Sequence, residues 1–319
     1  MQAITMPTLT QLEYLVAVER LRHFGKAAKA CHVSQPTLSM QLRKLEEEYG
    51  ILFFDRSKQP ILPTSEGLGI IEQAKAVLRE MGKLDHLGKN RKLEPVGEFK
   101  LALIPTVAPY LLPLFLEPFA KRYPEIKLFI EELTTQNILD ALENDQVDAG
   151  ILVTPLKGEN FLEIPLYYEP FWLLVNEKHP LAKLSAVHEE KLDNKDVWLL
   201  SEGHCLRNQI VRICSLRGKP GIFPNVHLES GSLETIIHLV EQGHGYTLLP
   251  HLATKTERLS RGTLLKPFSK PVPSREVSLV YRRTQYKQPI LNALASEVRK
   301  CLPKDLPQEK SKAIEVVKV

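Results

Sequence analysis

Residues 10–50 contain three stretches in which apolar side chains recur every three or four positions, the spacing of one face of an α-helix. The first predicted helix begins near Thr10 and runs to about Leu21, because Thr10 and Glu13 have the T-x-x-E spacing of a capping box. A second, short helix is predicted over Gly25 to Cys31. A tight three-residue link then leads to a third helix.

The third predicted helix has one apolar and one polar face. It begins after Ser34, a favourable N-cap residue, and a proline is tolerated in its first turn. The side chains predicted to pack inward are Leu38, Leu42, Leu45 and Tyr49. Those predicted to face outward are Pro36, Met40, Arg43 and Lys44, flanked by Thr37 and Ser39. A short helix, a tight turn and a helix with a polar, basic outer face form the pattern of a DNA-binding helix-turn-helix.

A small three-helix domain that binds no nucleic acid is the alternative for this region. Residues 1–66 carry eight Lys or Arg and seven Asp or Glu, so the net charge of the region is only +1. The charge therefore permits a DNA partner without requiring one.

Residues 64–89 predict one long helix. Apolar side chains recur along it with alternating steps of four and three, at Ile70, Ala74, Val77, Met81 and Leu84. Such a heptad seam is suited to pairing with a second copy of the chain, although an ordinary amphipathic helix would have a similar stripe. The segment GKNRKLEPVGE then interrupts the pattern with glycine, proline and charge, and predicts a hinge.

The rest of the chain alternates short apolar strands with helices. Strands are predicted at FKLALIP, IKLFIEE, VDAGILV, FWLLVNE, VWLL, NVHLES, YTLLP and REVSLVYRR. Such alternation predicts an α/β fold with mostly parallel sheets. The final segment, PKDLPQEKSKAIEVVKV, is polar and is expected to be loose.

Composition limits the class of protein. The hydrophobic content of 43% and charged content of 25% are ordinary for a soluble globular protein, and the net charge of +4 is mildly basic. No apolar run approaches the length of a membrane span, and the N-terminus has neither the basic nor the apolar region of a secretory signal. We therefore expect a cytoplasmic protein, in a compartment that keeps thiols reduced.

Two of the four cysteines, Cys205 and Cys214, lie nine positions apart in GHCLRNQIVRIC. Their spacing does not fit a zinc site, and no metal or cofactor is expected. His204 adjoins Cys205, but consecutive side chains usually point apart, so a Cys–His catalytic pair is not implied. Cys31 and Cys301 are interpreted as buried, inert thiols.

A redox role has physical support. Cys205 is predicted at a helix N-terminus, where free N–H groups and the helix dipole favour a thiolate, and His204 and Arg207 add donors or positive charge. Peroxide oxidises an accessible thiolate to sulfenic acid, which a second thiol converts to a disulfide. If both cysteines are helical, they are separated by about 13.5 Å along the axis, whereas a disulfide needs Cα atoms within about 7 Å. The helix and the bond are therefore alternative states.

The N-terminal region resembles a known family. The segment from LEYLVAV through VSQPTLSMQLRKLE to TSEG is similar to the winged helix-turn-helix of LysR-type transcriptional regulators. The resemblance implies that the recognition helix contains Ser34, Gln35, Pro36, Thr37, Ser39 and Arg43. It implies that Arg56 and Thr64 flank the wing and touch the DNA backbone. It also implies dimerisation through the linker helix, a homotetramer, and double-stranded promoter DNA and RNA polymerase as partners.

The C-terminal half resembles the hydrogen-peroxide-sensing branch of that family, over residues 7–302 in all. The resemblance rests on GHCLRNQ followed by a second cysteine, and on IPTVAPYLLP, GHGYTLLP and VSLVYR. It implies that Cys205 is the peroxidatic and Cys214 the resolving cysteine, with a thioredoxin or glutaredoxin system as reductant. The implied peroxide pocket consists of Thr106, Thr135, His204 and Arg275, with Thr134 competing for the place of Thr135. This chain has Asn208 where an aspartate is typical of the branch.

The resemblance and the element pattern together predict the domain organisation. A winged helix-turn-helix domain is expected over 1–66, a linker helix and hinge over 67–97, an effector domain over 98–302 and a flexible tail over 303–319. The effector domain is expected to form two Rossmann-like subdomains, as in periplasmic binding proteins. Their boundaries are about 98–166 with 268–302, and 167–267.

Three functions follow from these features. The first is a transcription activator of oxidative-stress genes, not an enzyme, in which hydrogen peroxide oxidises Cys205 and a disulfide to Cys214 changes DNA binding. The second is a LysR-type regulator that binds a small organic co-inducer, with incidental cysteines. The third is a free-standing cysteine enzyme such as a thiol peroxidase, against which the helix-turn-helix pattern argues.

Overall fold

The chain folds as two compact units, Met1–Leu93 and Glu94–Val319. The computed structural model describes residues 6–89, 95–156, 160–192, 196–214, 228–256, 259–283, 285 and 287–318. Among these residues, no helix is both long enough and apolar enough to cross a membrane.

The N-terminal unit is a helical domain with a small two-stranded sheet. Its elements are α1 (Leu9–Leu21), α2 (Phe24–Ala30), α3 (Gln35–Tyr49), β1 (Phe54–Asp55), β2 (Leu62–Pro63) and α4 (Ser65–Lys89). The core is built by the apolar faces of α1 and α3, including Leu15, Val18, Leu38 and Leu42. The antiparallel pair of β1 and β2 lies where a winged helix-turn-helix has its wing.

The start of α1 differs from the prediction. The N-cap is Thr8, whose side chain accepts a hydrogen bond from the Gln11 backbone N–H, while the Gln11 side chain accepts from the Thr8 backbone. The capping box is therefore T-x-x-Q at 8–11, and Thr10 lies inside the helix. The prediction was wrong because glutamine serves at this position as well as glutamate does.

The predicted N-cap Ser34 and the proline in the first turn of α3 are confirmed. The inward position of Tyr49 was wrong, because Tyr49 is exposed and α3 ends at once on Gly50, which has a φ of 70°. A buried carboxylate lies near this end instead. Glu46 accepts hydrogen bonds from the Phe53 backbone N–H and, at 2.6 Å, from the Arg56 guanidinium.

Only the first part of the predicted heptad seam on α4 is packed within its own unit. Ala74 is buried in the N-terminal core and Ile70 packs against it. Val77, Met81 and Leu84 are exposed, with 62% of Leu84 accessible. Dimerisation through this helix stays a prediction. The three exposed side chains form the apolar surface that such a dimer would bury.

The C-terminal unit contains two sheets that share one long strand. Its strands are β3 (Gly97–Leu103), β4 (Ile126–Glu132), β5 (Ala149–Thr154), β6 (Phe161–Asn176), β7 (Tyr246–Pro250), β8 (Thr263–Pro267), β9 (Val272–Arg282) and β10 (Ile314–Val316). Its α-helices are α5 (Ala108–Arg122), α6 (Thr135–Glu143), α7 (Cys205–Ile213), α8 (Leu233–Glu241), α9 (His251–Thr256) and α10 (Gln288–Cys301). The alternating order bears out the α/β class, and one apolar core runs through the unit.

The sheets are mixed, so the expectation of mostly parallel pairing was wrong. Strand β3 pairs in parallel with β4 and β5, whereas β9 is antiparallel to both β5 and β6. The first half of β6 belongs to the β9 sheet and its second half pairs antiparallel with β7 and β8. The chain leaves one sheet along β6 and returns along β9, and this reversal makes the shared pair antiparallel. The predicted subdomain boundary at 166/167 falls inside the continuous β6.

One further expectation from the apolar pattern was wrong, and another is contradicted over the part of it that the structure describes. VWLL forms no strand, because only Val197 makes a bridge, to Tyr246. Residues 228–230 of NVHLES are not a strand, and 225–227 lie outside the described residues.

The C-terminal segment is ordered rather than loose. Leu306 is buried, the Pro307 carbonyl accepts a hydrogen bond from the Tyr168 backbone N–H at 2.7 Å, and β10 pairs in parallel with β9. The apolar residues of AIEVVKV account for this strand, and the polar first half of the segment concealed them.

The capping geometry at α1 generates a prediction. Thr8→Ala removes the N-cap acceptor and should cost about 1 kcal/mol of local helix stability, or roughly a fivefold loss of protection of the first-turn amides. Hydrogen exchange followed by mass spectrometry on the α1 peptide measures this loss. Thr10→Ala is the matched control and should leave protection unchanged, and the reverse result would restore Thr10 as the cap.

Candidate redox site

The two cysteines lie at opposite ends of one helix. Cys205 is the first residue of α7, His204 is its N-cap residue, and Cys214 is the C-cap. Both thiols are free and buried. The predicted helix is confirmed, and with it the separation that keeps the two sulfur atoms from bonding.

The environment of Cys205 contains opposing effects. Burial raises the pKa of the Cys205 thiol. The charge of Arg275, a hydrogen bond with the Thr135 hydroxyl and the backbone N–H groups of Cys205 and Leu206 lower that pKa, but they do not cancel the effect of burial. The sequence suggested a depressed pKa helped by nearby Arg207. That was wrong, because burial dominates and the Arg207 guanidinium instead donates to the Leu200 carbonyl at 3.0 Å.

Arg275 is fixed by a buried network. Its side chain is 1% exposed and its Nε donates to Glu169 Oε2 at 2.8 Å, while Glu169 is 0% exposed. Its Nη1 donates to the Thr106 hydroxyl at 3.2 Å and its Nη2 to the Thr106 carbonyl at 3.0 Å. Glu169 also accepts from the Leu252 backbone N–H at 2.7 Å. Burial works against the charged guanidinium, but the neighbouring anionic groups, Glu169 foremost, raise the Arg275 pKa overall.

Sequence reasoning missed Glu169. It lies on β6 and its partner lies on β9, 106 positions away, so no local pattern indicates the pair. A single acidic residue within the run LYYEPFWLLV was the available signal, since a buried carboxylate needs a partner.

The structure separates the two candidate threonines. Thr135, the first residue of α6, makes the hydrogen bond with Cys205, whereas Thr134 is the N-cap residue of α6 and makes no side-chain capping bond. Thr106, Thr135, Cys205 and Arg275 therefore meet at one site.

His204 lies at the edge of this site. It is half-buried, and burial lowers the pKa of its imidazole, which favours the neutral ring. The imidazole packs against Gly231, since a Cβ added at that glycine would lie only 3.3 Å from His204 Nε2. Among the described contacts, no hydrogen bond joins His204 to Thr106, Thr135 or Arg275, so its place in a peroxide pocket stays a prediction.

Cys214 occupies a different environment. Burial raises its pKa to about 12, although a hydrogen bond from Tyr246 lowers it and the Glu189 carboxylate raises it further. The Cys214 thiol is therefore protonated at neutral pH while the helix is intact. No cluster of three or more potential metal ligands occurs among the described residues.

Comparison with known proteins identifies the family. The model described as bacterial regulatory helix-turn-helix protein, lysR family, matches residues 9–68, and the LysR substrate binding domain matches 92–302. The chain belongs to the LysR family.

Within the LysR family, the similar proteins include some named for hydrogen peroxide and one named OxyR. The "hydrogen peroxide-inducible genes activator" of Haemophilus influenzae is 38% identical over 92% of this chain and 98% of its own. The "DNA-binding transcriptional dual regulator OxyR" of Escherichia coli is 38% identical over 88% of this chain and 92% of its own. The chain falls in this OxyR branch.

Solved OxyR structures have the same fold. A full-length OxyR cysteine variant from Pseudomonas aeruginosa has a TM-score of 0.76 and 36% identity, covering 93% of this chain and 99% of that one. An H2O2-bound OxyR cysteine variant from Corynebacterium glutamicum has a TM-score of 0.62 and 30% identity, covering 93% of each chain.

The LysR helix-turn-helix presents most of the residues expected to contact DNA. Ser34, Gln35, Pro36, Thr37 and Arg43 are exposed and Ser39 is half-buried. The Ser34 side chain also caps α3, where it accepts from the Thr37 backbone N–H. Their DNA contacts stay predictions.

Arg56 and Thr64 are held by contacts within this LysR domain. The Arg56 guanidinium pairs with Glu46 and lies 5.0 Å from the centre of the Phe24 ring. The Thr64 hydroxyl donates to the Leu52 carbonyl at 2.6 Å and accepts from the Gly67 backbone N–H. A DNA contact by either residue, which stays a prediction, would add to these structural roles.

The hydrogen bond between Thr135 and Cys205 in the LysR effector unit generates a prediction. Thr135→Val keeps the shape of the side chain but removes the hydrogen bond that lowers the Cys205 pKa, so that pKa should rise. Alkylation of Cys205 by iodoacetamide at neutral pH should slow by up to about tenfold, the effect of one hydrogen bond to a charged group. The rates are measured in chains whose other three cysteines are serine.

Thr134→Val is the matched control and should leave the alkylation rate unchanged. A slower rate in this variant, with Thr135→Val unaffected, would assign the hydrogen bond to the other threonine.

Proposed function

We propose that this protein is a peroxide-responsive, DNA-binding transcription activator in which Cys205 is the sensor and Cys214 resolves its oxidation. One observation carries the proposal: a buried thiol meets Thr135 and Arg275, Arg275 is bonded to Thr106, and a second thiol lies at the far end of the same short helix. The relatives named for hydrogen peroxide support it.

The chemistry consumes one peroxide and both thiols. The Cys205 sulfur attacks one peroxide oxygen, an S–O bond forms, the O–O bond breaks, and the second oxygen leaves as water after taking the thiol proton. Hydroxyl groups such as those of Thr106 and Thr135 can hold a small neutral peroxide in line with the sulfur, and Arg275 stabilises the departing oxygen. The Cys214 sulfur then displaces the sulfenic oxygen, which leaves as a second water, and the disulfide forms.

The second step requires a change of shape. Cys214 cannot reach Cys205 while α7 is helical, so the disulfide forms only when the helix unwinds. Unwinding removes apolar α7 side chains such as Leu206 and Ile210 from the core and alters the surface of the effector unit. In a homotetramer dimerised through α4, this alteration changes the spacing of the DNA-binding domains on double-stranded promoter DNA and the contact with RNA polymerase.

The remaining assignments belong to the same proposal. DNA binding lies in 1–66, dimerisation in 67–97 and sensing in 98–302, and the protein acts in the cytoplasm, where a thioredoxin or glutaredoxin system reduces the disulfide. Oxidation is stoichiometric rather than catalytic. No cofactor takes part.

Thiol mapping tests the chemistry. After a brief pulse of one equivalent of hydrogen peroxide, mass spectrometry should find a Cys205–Cys214 disulfide in the unmodified chain. Cys214→Ser should stop at the Cys205 sulfenic acid, which dimedone traps, and Cys205→Ser should form neither product. Cys31→Ser and Cys301→Ser are the matched controls and should behave as the unmodified chain.

A transcription assay from a promoter bound by the protein tests the response. Cys205→Ser should lose at least about 90% of peroxide induction, since only the thiolate of that residue reacts. Peroxide induction retained in Cys205→Ser would favour the organic co-inducer, and continuous peroxide consumption with a thiol reductant would favour a thiol peroxidase.

The rate of Cys205 oxidation should increase with pH. Because burial raises the Cys205 pKa, the reactive thiolate is the minor form at neutral pH and its fraction increases as pH rises. Stopped-flow oxidation of the Cys214→Ser chain between pH 6 and 9 measures the profile. A flat profile would show that the thiolate is already formed at pH 6.

A further inference from the structure

The C-terminal strand runs beside the strand that carries Arg275. In β10, Ile314 pairs with Val272 and Val316 with Ser274, the residue before Arg275. The pairing continues one residue further, because the Val317 backbone N–H donates to the Ser274 carbonyl at 2.9 Å.

The end of the chain also binds α7. The Gln209 side-chain amide donates to the Val317 carbonyl at 3.0 Å, and the Arg212 guanidinium donates to the Lys318 carbonyl at 2.9 Å. Both donors lie between Cys205 and Cys214, and Gln209 is fully buried. The C-terminal strand is thus hydrogen-bonded on one side to β9 and on the other to the helix that separates the two thiols.

These two hydrogen bonds depend on the helical form of α7. Gln209 lies in the second turn of the helix, and unwinding would remove its side chain from the fixed Val317 carbonyl. The Gln209 side chain is fully buried, so its hydrogen bond to Val317 is shielded from competing water, whereas the bond from Arg212 is exposed. The contact therefore stabilises the dithiol form of the protein and is absent from any form in which α7 has opened.

We propose that the backbone carbonyls of Val317 and Lys318, which accept hydrogen bonds from Gln209 and Arg212, hold α7 in its dithiol form. They thereby set how readily Cys205 and Cys214 close to a disulfide. Gln209 is a positioning residue for this reaction. The contact acts on the second step, in which the helix opens, and not on the attack of Cys205 on peroxide. The inference rests on the proposed function, because it concerns the same disulfide.

A chain that ends at Val316 tests this inference. It lacks both acceptor carbonyls but keeps the residues of β10. Disulfide closure after a peroxide pulse should be about tenfold faster, while the dimedone-trapped rate of sulfenic acid formation should stay within about twofold. In a glutathione redox titration, the equilibrium should favour the disulfide about tenfold more, a midpoint potential about 30 mV more negative.

Two variants separate the hydrogen bonds from side-chain packing. Lys318→Ala keeps the backbone carbonyl and is the matched control, which should match the unmodified chain. Gln209→Leu keeps the volume and the tail but removes the donor, and should shift the potential in the same direction as truncation. Combining Gln209→Leu with truncation should give less than the sum of the two shifts, because both remove one contact.

The outcomes distinguish this inference from the proposed function. The inference alone is overturned if the unmodified chain forms the disulfide and neither truncation nor Gln209→Leu changes the closure rate or the glutathione redox equilibrium constant by more than about twofold. Slower sulfenic acid formation in the truncated chain, without faster closure, would also overturn it, by showing that β10 supports the pocket instead. If the unmodified chain forms no Cys205–Cys214 disulfide, the proposed function fails and the inference fails with it.

Discussion

The buried ion pair between Arg275 and Glu169 is the interaction on which the effector site depends. Two charges at this depth are tolerated only when each satisfies the other and the remaining hydrogen-bonding atoms find partners. Here the Thr106 hydroxyl and carbonyl and the Leu252 backbone N–H complete the set. The pair thereby joins β6, β9, α9 and the loop after β3, and it places one positive charge beside the Cys205 sulfur. Removing either partner would leave an unpaired charge in the core. The same ion pair therefore supports both the packing of the site and the charge next to Cys205.

The two thiols of α7 differ because their surroundings differ. Both are buried, both have a raised pKa and both have a hydroxyl partner, but Cys205 also has a cation and a helix N-terminus beside it, whereas Cys214 lies near the Glu189 carboxylate at the opposite end. Under the proposed function, Cys205 is therefore the thiol of α7 that reacts with peroxide while the helix is intact. Cys214 meets a different environment only after α7 opens, so the order of the two chemical steps follows from the fold.

The sequence reveals features that are local and periodic. Ser34 caps a helix within three residues, and a stripe of leucines defines the inner face of α3, so the helix-turn-helix could be predicted. The helical spacing of Cys205 and Cys214 could be predicted for the same reason. Glu169 and Gln209 could not, because their partners lie 106 and 108 positions away and depend on the sheet that brings them together. The antiparallel pairing of β6 with β9 has the same cause, since alternating strands and helices do not reveal where a chain reverses between two sheets.

The contact between Glu46 and Arg56 has a consequence for recognition of DNA. It joins the end of α3 to the residue after β1, so the reading helix and the wing approach a duplex with their separation already set. A duplex that binds both elements has to match that separation, through its own bend or groove width wherever its relaxed form does not. The cost of that deformation varies with the flexibility of the base steps, so an operator can be selected at positions that no side chain touches.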